Sequence, residues 1–144
     1  MSPTSTPSAA ATTAVREVVD RNLATVEPDA TLQDVAEELA LDEIGVVVVQ
    51  HGHEPIGLIS ERDLVTVLAS GGDLETQATD LMTVDLVTAG EDTSVADVGR
   101  LMVDARVRHV LVRGPGERDD PDNGPVTGIV SMRDVVRFLL DDLG

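Results

Sequence analysis

Two stretches of the chain read almost alike: Gly57-Leu58-Ile59-Ser60-Glu61-Arg62-Asp63 and Gly128-Ile129-Val130-Ser131-Met132-Arg133-Asp134. In each, a glycine and two apolar residues lead into a serine, and an Arg-Asp pair follows it. The apolar residues suit the end of a strand, and Gly57 and Gly128 suit a turn or a close approach of other backbone. Ser60 and Ser131 stand where a strand passes into a helix, so each hydroxyl can cap free N–H groups. Asp63 and Asp134 fall three places later, the spacing of a capping box built with the shorter acid. Capping alone does not explain why the same Arg precedes the Asp both times. A helix start also offers N–H donors and positive dipole to an anion. There Arg62 and Arg133 suit phosphate, and Asp63 and Asp134 suit paired hydroxyls such as a ribose diol.

Working outward, the likeness extends over most of the chain. At a shift of 63 residues (86 − 23), Leu23-Ala24-Thr25 falls on Leu86-Val87-Thr88, and Asp29 to Val35 falls on Asp92 to Val98. Ile44 to Val49 falls on Val107 to Val112. The shift then grows to 71 (128 − 57), because eight extra residues lie within Arg113–Pro125, a Gly-, Pro- and Asp-rich stretch where length is tolerated. Each copy reads as strand, helix, strand, strand, helix. The first helix follows Thr31 or Ser94 and carries Leu32, Val35, Ala36 and Leu39, or Val95, Val98, Gly99 and Met102, at helical spacing. The β-branched runs Ile44–Val49 and Val107–Val112 read as buried strands. The expectation is an α+β protein of two tandem β-α-β-β-α modules, 15–72 and 73–144, with Gly71-Gly72 at their junction and a disordered tail over 1–14.

Composition narrows the function classes. Net charge is −17, from 27 acidic residues against ten basic ones, every one of them Arg. Such a surface repels nucleic acid and anionic lipid. Aromatic residues make up 1% of the chain, so base-stacking platforms are missing too. The Lys-free, acid-rich composition resembles that of halophilic proteins, in which concentrated salt screens the self-repulsion of an acid coat. There is no cysteine, which removes disulfides and thiolate chemistry. Neither an 18-residue apolar run nor a signal-peptide core is present, and the expected location is cytoplasmic.

With both signatures in register, the chain resembles the CBS-domain family over roughly Val15 to Asp142. The Gly-x-x-Ser-x-x-Asp elements, followed by Leu64-Val65 or Val135-Val136, carry the likeness, and Val107–Val112 is similar to that family's middle strand. The resemblance implies two modules packed through their sheets about a pseudo-twofold axis, with two clefts for adenosine-containing ligands. One cleft would combine Leu86, Val87, Thr88, Val107, Arg108 and Leu111 with Ser60, Arg62 and Asp63, and His109 stands beside Arg108 on its strand. The other would combine Ala24, Thr25, Ile44, Gly45, Val46 and Val48 with Ser131, Arg133 and Asp134. The cationic Arg108 and His109 replace Gly45 and Val46, so the first cleft is expected to prefer the more phosphorylated ligand. AMP, ADP or ATP is the expected regulatory ligand, ahead of S-adenosylmethionine or NAD, and no cofactor is required. The expected partners are a second copy and an effector protein, with neither nucleic acid nor membrane.

Other signals are weaker. His51-Gly52-His53 has a chelating spacing but sits in a turn with one nearby acid, Glu54, and reads as surface histidine. Arg118–Asn123 lacks the alternating ligands and closing Glu of a calcium loop. Neither a nucleophile–base set nor a Walker-type loop stands out, so no enzyme is expected. The competing view is a structural or dimerisation module that binds nothing small, its Ser and Asp serving only as caps.

Overall fold

Val46 to Val49 are four consecutive valines, whose branched Cβ atoms crowd a helical turn but lie easily on a pleated sheet. They form the buried centre of a middle strand. The computed structural model describes residues 9–41, 45–115 and 124–143. By contacts it divides into two units, Asn22–Leu86 and Val87 onward together with the residues up to Arg21.

In Asn22–Leu86, β1 (Thr25–Val26) runs parallel to β2 (Val46–His51), which pairs antiparallel with β3 (Glu54–Ser60). The helix α2 (Leu32–Leu41) lies between β1 and β2 in the chain, α3 (Glu61–Ala69) follows β3, and the short α4 (Ala78–Leu81) follows that. Val35, Leu39, Val47, Val49, Ile59 and Ala78 form the core. In the other unit β4 (Thr88–Gly90), β5 (His109–Arg113) and β6 (Val126–Ser131) repeat the same sheet order and directions. Here α5 (Val95–Ala105) and α6 (Met132–Leu143) take the places of α2 and α3, and α1 (Ala9–Thr12) packs against both. Val15, Ala89, Val98, Met102, Val110, Val112 and Val130 form this core. The architecture is α+β, and the element order expected of each copy is the order observed.

The division by contacts does not follow the sequence repeats 15–72 and 73–144. Residues up to Arg21 join the β4–β6 sheet, and residues 73–86 join the β1–β3 sheet. Part of the expected tail is therefore ordered. Ala9–Thr12 is helical with Ala10 buried, the Val95 amide donates to the Thr13 carbonyl, and Val15 is wholly buried. Alanine-rich sequence suits a helical turn, and the apolar contact of Val15 offsets the entropy of ordering it.

Candidate functional site

Each repeated signature builds the same junction. Ser60 is the N-cap of α3, where its hydroxyl oxygen accepts from the Asp63 amide at 3.2 Å. Asp63 Oδ2 in return accepts from the Ser60 amide at 2.8 Å and the Ser60 hydroxyl at 3.0 Å. In the other unit Asp134 Oδ2 accepts from the Ser131 amide at 2.8 Å, and the Ser131 hydroxyl oxygen accepts from the Asp134 amide at 3.1 Å. Each aspartate thus spends one oxygen holding its helix start. The other oxygen, Oδ1, makes no hydrogen bond to the described residues. Asp63 and Asp134 are half-buried, whereas Arg62, Arg133 and Arg108 are exposed. A carboxylate fixed at a helix start can accept from paired hydroxyls, and the exposed Arg next to it in sequence can donate to a phosphate.

The strand residues named from the sequence gather at the same end of each sheet. In Asn22–Leu86 the Val48 amide donates to the Ala24 carbonyl at 2.9 Å, and Thr25 pairs with Val48. Val46 pairs with Ser60, and the Glu61 amide donates to the Gly45 carbonyl at 3.2 Å. In the other unit the Leu111 amide donates to the Val87 carbonyl at 2.9 Å, and Thr88 pairs with Leu111. His109 pairs with Ser131, and the Met132 amide donates to the Arg108 carbonyl at 2.8 Å. Val107 is tied to the end of α5 through the Met102 carbonyl. Leu86, half-buried, ends the first of these units. Val46, Val48 and Leu111 are buried, and the amides of Val48 and Leu111 are already bonded. Thr25 and Thr88 remain exposed. Ile44 and the Arg118–Asn123 stretch lie outside the described residues.

The two junctions differ in charge. Gly45 has φ +78, a conformation that favours glycine, and a Cβ there would lie 2.8 Å from the Glu61 carboxylate oxygen. The other unit has Arg108 and Met132 at those places. Burial pushes the His109 imidazole below its ordinary value; the Asp134 carboxylate pulls it back up and Arg108 pushes it further down.

The signature glycines have a local cause. A Cβ on Gly128 would stand 2.4 Å from Val19 Cγ2 and 2.7 Å from the Asp20 carbonyl oxygen. One on Gly57 would stand 2.4 Å from Met82 Sδ. The close approach expected at these positions is therefore an approach of the chain itself. The repeat carries a trace of this packing: at the same shift of 63, Val15, Val18 and Val19 fall on Ala78, Leu81 and Met82.

His51 and His53 are exposed at the β2–β3 turn, and among the described residues no cluster of three or more His, Asp or Glu is arranged to hold a metal. A shallow depression of about 480 Å³ beside α2 is lined largely by Glu27, Asp29, Asp34, Glu37 and Glu38. It includes none of the residues above. No helix among the described residues is long and apolar enough to cross a membrane.

Comparison with known proteins matches the CBS domain family at residues 15–70 and again at 78–141. A protein of Methanopyrus kandleri is 36% identical over 126 residues, which are 85% of this chain and 61% of that protein. The chain thus spans rather less than two thirds of that relative. A CBS-domain containing protein from Agrobacterium tumefaciens is 31% identical with a TM-score of 0.74, covering 88% of this chain and 99% of that one. A CBS domain protein from Pyrobaculum aerophilum, complexed with AMP, is 26% identical with a TM-score of 0.76, covering 91% of this chain and 98% of that one.

Proposed function

Because the chain belongs to the CBS domain family and carries two such domains, we propose that it is a regulatory module that binds an adenosine-containing ligand and signals to a partner protein. AMP, ADP or ATP is the proposed ligand, ahead of S-adenosylmethionine or NAD. One observation supports this most: both helix starts hold a capped, half-buried Asp next in sequence to an exposed Arg. The complex of the Pyrobaculum relative with AMP supports the same reading. Arg62 and Arg133 are assigned to phosphate, Asp63 and Asp134 to the ribose hydroxyls, and the exposed edges at Thr25 and Thr88 to the base. The role is one of binding, with no reaction assigned, and the proposed location is the cytoplasm.

A second copy of the chain is the proposed occupant of the outer faces of α3 and α6. Val65 and Leu68 on α3 and Val136, Leu139 and Leu140 on α6 are exposed, and Val65 and Leu68 correspond to Val136 and Leu139 between repeats. The duplicated stripe suits a self-complementary interface. Sedimentation should give a dimer that the double substitution Val136→Glu, Leu140→Glu renders monomeric; an unchanged dimer would remove this assignment.

Thermal unfolding in the presence of adenosine compounds, at low and high salt, tests the ligand. A compound at 100 times its Kd raises stability by about 2.7 kcal/mol. A panel that leaves the midpoint unmoved at both salt levels would favour a purely structural module.

A further inference from the structure

The opening segment of each sequence repeat pairs with a strand of the other repeat. Asp20 and Ile129 exchange backbone hydrogen bonds, both at 2.9 Å, and Thr83 and Leu58 do the same at 2.8 and 3.0 Å. Each pair sits over a signature glycine, Gly128 beneath Val19 and Asp20, and Gly57 beneath Met82. Only Arg21, Asn22 and Leu23 separate Asp20 from Ala24, whose carbonyl accepts from Val48. Only Val84, Asp85 and Leu86 separate Thr83 from Val87, whose carbonyl accepts from Leu111. The chain therefore passes between units twice, each time through three residues with a bonded backbone group at both ends. The strands so entered are short edge strands, Thr25–Val26 and Thr88–Gly90.

We infer that these two crossings are a mechanical link, in which the Asp20–Ile129 pair helps to seat β1 on β2, and the Thr83–Leu58 pair helps to seat β4 on β5. Short edge strands belong to the low-stability end of a fold, and their seating depends on how closely the incoming chain is held. Releasing Asp20 or Thr83 lengthens the chain between the last paired backbone and the strand it enters, which loosens that hold. Ile129 and Leu58 are themselves two residues from Ser131 and Ser60. A load on one unit's helix start is thus carried to the other unit's first strand. The regulatory meaning of this link rests on the ligand reading above; the link itself does not.

Hydrogen exchange of the full chain without ligand decides it. In Gly128→Ala the new methyl collides with the Asp20 carbonyl. Exchange should then quicken about tenfold at β1 and at the Val48 amide, in the other unit, as well as around β6. Gly57→Ala should do the same at β4 and Leu111. Should an alanine variant fail to fold, Val19→Ser and Met82→Ser loosen the same contacts more mildly and give the same readout. Faster exchange confined to the substituted unit would overturn the link. A parallel sample with AMP separates the two readings. Protection of β1 by AMP in the wild type, lost in Gly128→Ala, would support both. No protection by AMP would count against the ligand alone, while the ligand-free exchange would still decide the link.

Discussion

The Met132 amide donates to the Arg108 carbonyl at 2.8 Å, binding the first residue of α6 to the residue just ahead of β5. The bond uses only backbone, so Arg108 is held in place while its side chain stays exposed. Arg108→Gly should therefore keep the junction and delete the cation, copying Gly45 of the other repeat. The expected result is a loss of any preference for ATP over AMP in thermal-shift titrations, with the AMP response retained. An undiminished ATP preference would show that Arg108 takes no part in phosphate selection.

Removing either signature carboxylate should affect stability and binding separately. Asp63→Ala and Asp134→Ala each lose a cap, which lowers stability by about 1 kcal/mol in urea unfolding. Asp63 receives two hydrogen bonds from Ser60, and Asp134 receives one from Ser131 among the bonds described. The first substitution should therefore cost more. If these residues also hold ribose, the adenosine-dependent thermal shift should fall in both variants. Destabilisation with an intact thermal shift would leave capping as their whole role.

His109 gives the protein a pH dependence of known sign. Burial, the largest cause, and Arg108 depress its folded pKa below the ordinary 6.5, against the pull of Asp134. Just below 6.5 the unfolded chain binds a proton at His109 more readily than the folded chain does. The contribution to stability is therefore present above 6.5 and is lost as pH falls through the folded pKa. His109→Val copies Val46 and removes this dependence. Urea midpoints between pH 7.5 and 5.5 should show the wild type losing stability relative to the variant. A constant difference between the two would refute the assignment.

The buried segment that opens the first repeat should matter to stability despite its place near the start of the chain. Val15 is fully buried in the β4–β6 core. Val15→Ala should lower stability by about 2 kcal/mol in urea. Val103→Ala, at a position 72% exposed on α5, should stay within about 0.5 kcal/mol of the wild type. Equal effects would show that Val15 is not packed as described.

Much of this arrangement was legible in the sequence because it is local. The five elements of each copy follow from valine runs and helical spacing, and the caps at Ser60, Ser94 and Ser131 follow from Ser-x-x-Asp alone. What packs on Gly57 and Gly128 is traceable only through the repeat, in which Val19 falls on Met82, since both are distant in sequence from the glycine they cover and belong by order to the neighbouring repeat. Val15, Val18 and Val19 span little more than one helical turn, too short for periodicity to announce a buried segment. Val46, Val48 and Leu111, read from the sequence as members of buried strands, are buried as expected.

At the base of the stretch that lengthens the second copy, the Gly114 amide donates to the Pro125 carbonyl at 2.9 Å and Arg113 Nη1 to the Gly124 carbonyl at 3.0 Å. With both ends clamped, the β5–β6 pairing is indifferent to what is spliced between them, because added length costs only about 0.6 kcal/mol per doubling. Sequence added between these clamped ends should therefore leave the Ser131–Asp134 helix start as it is.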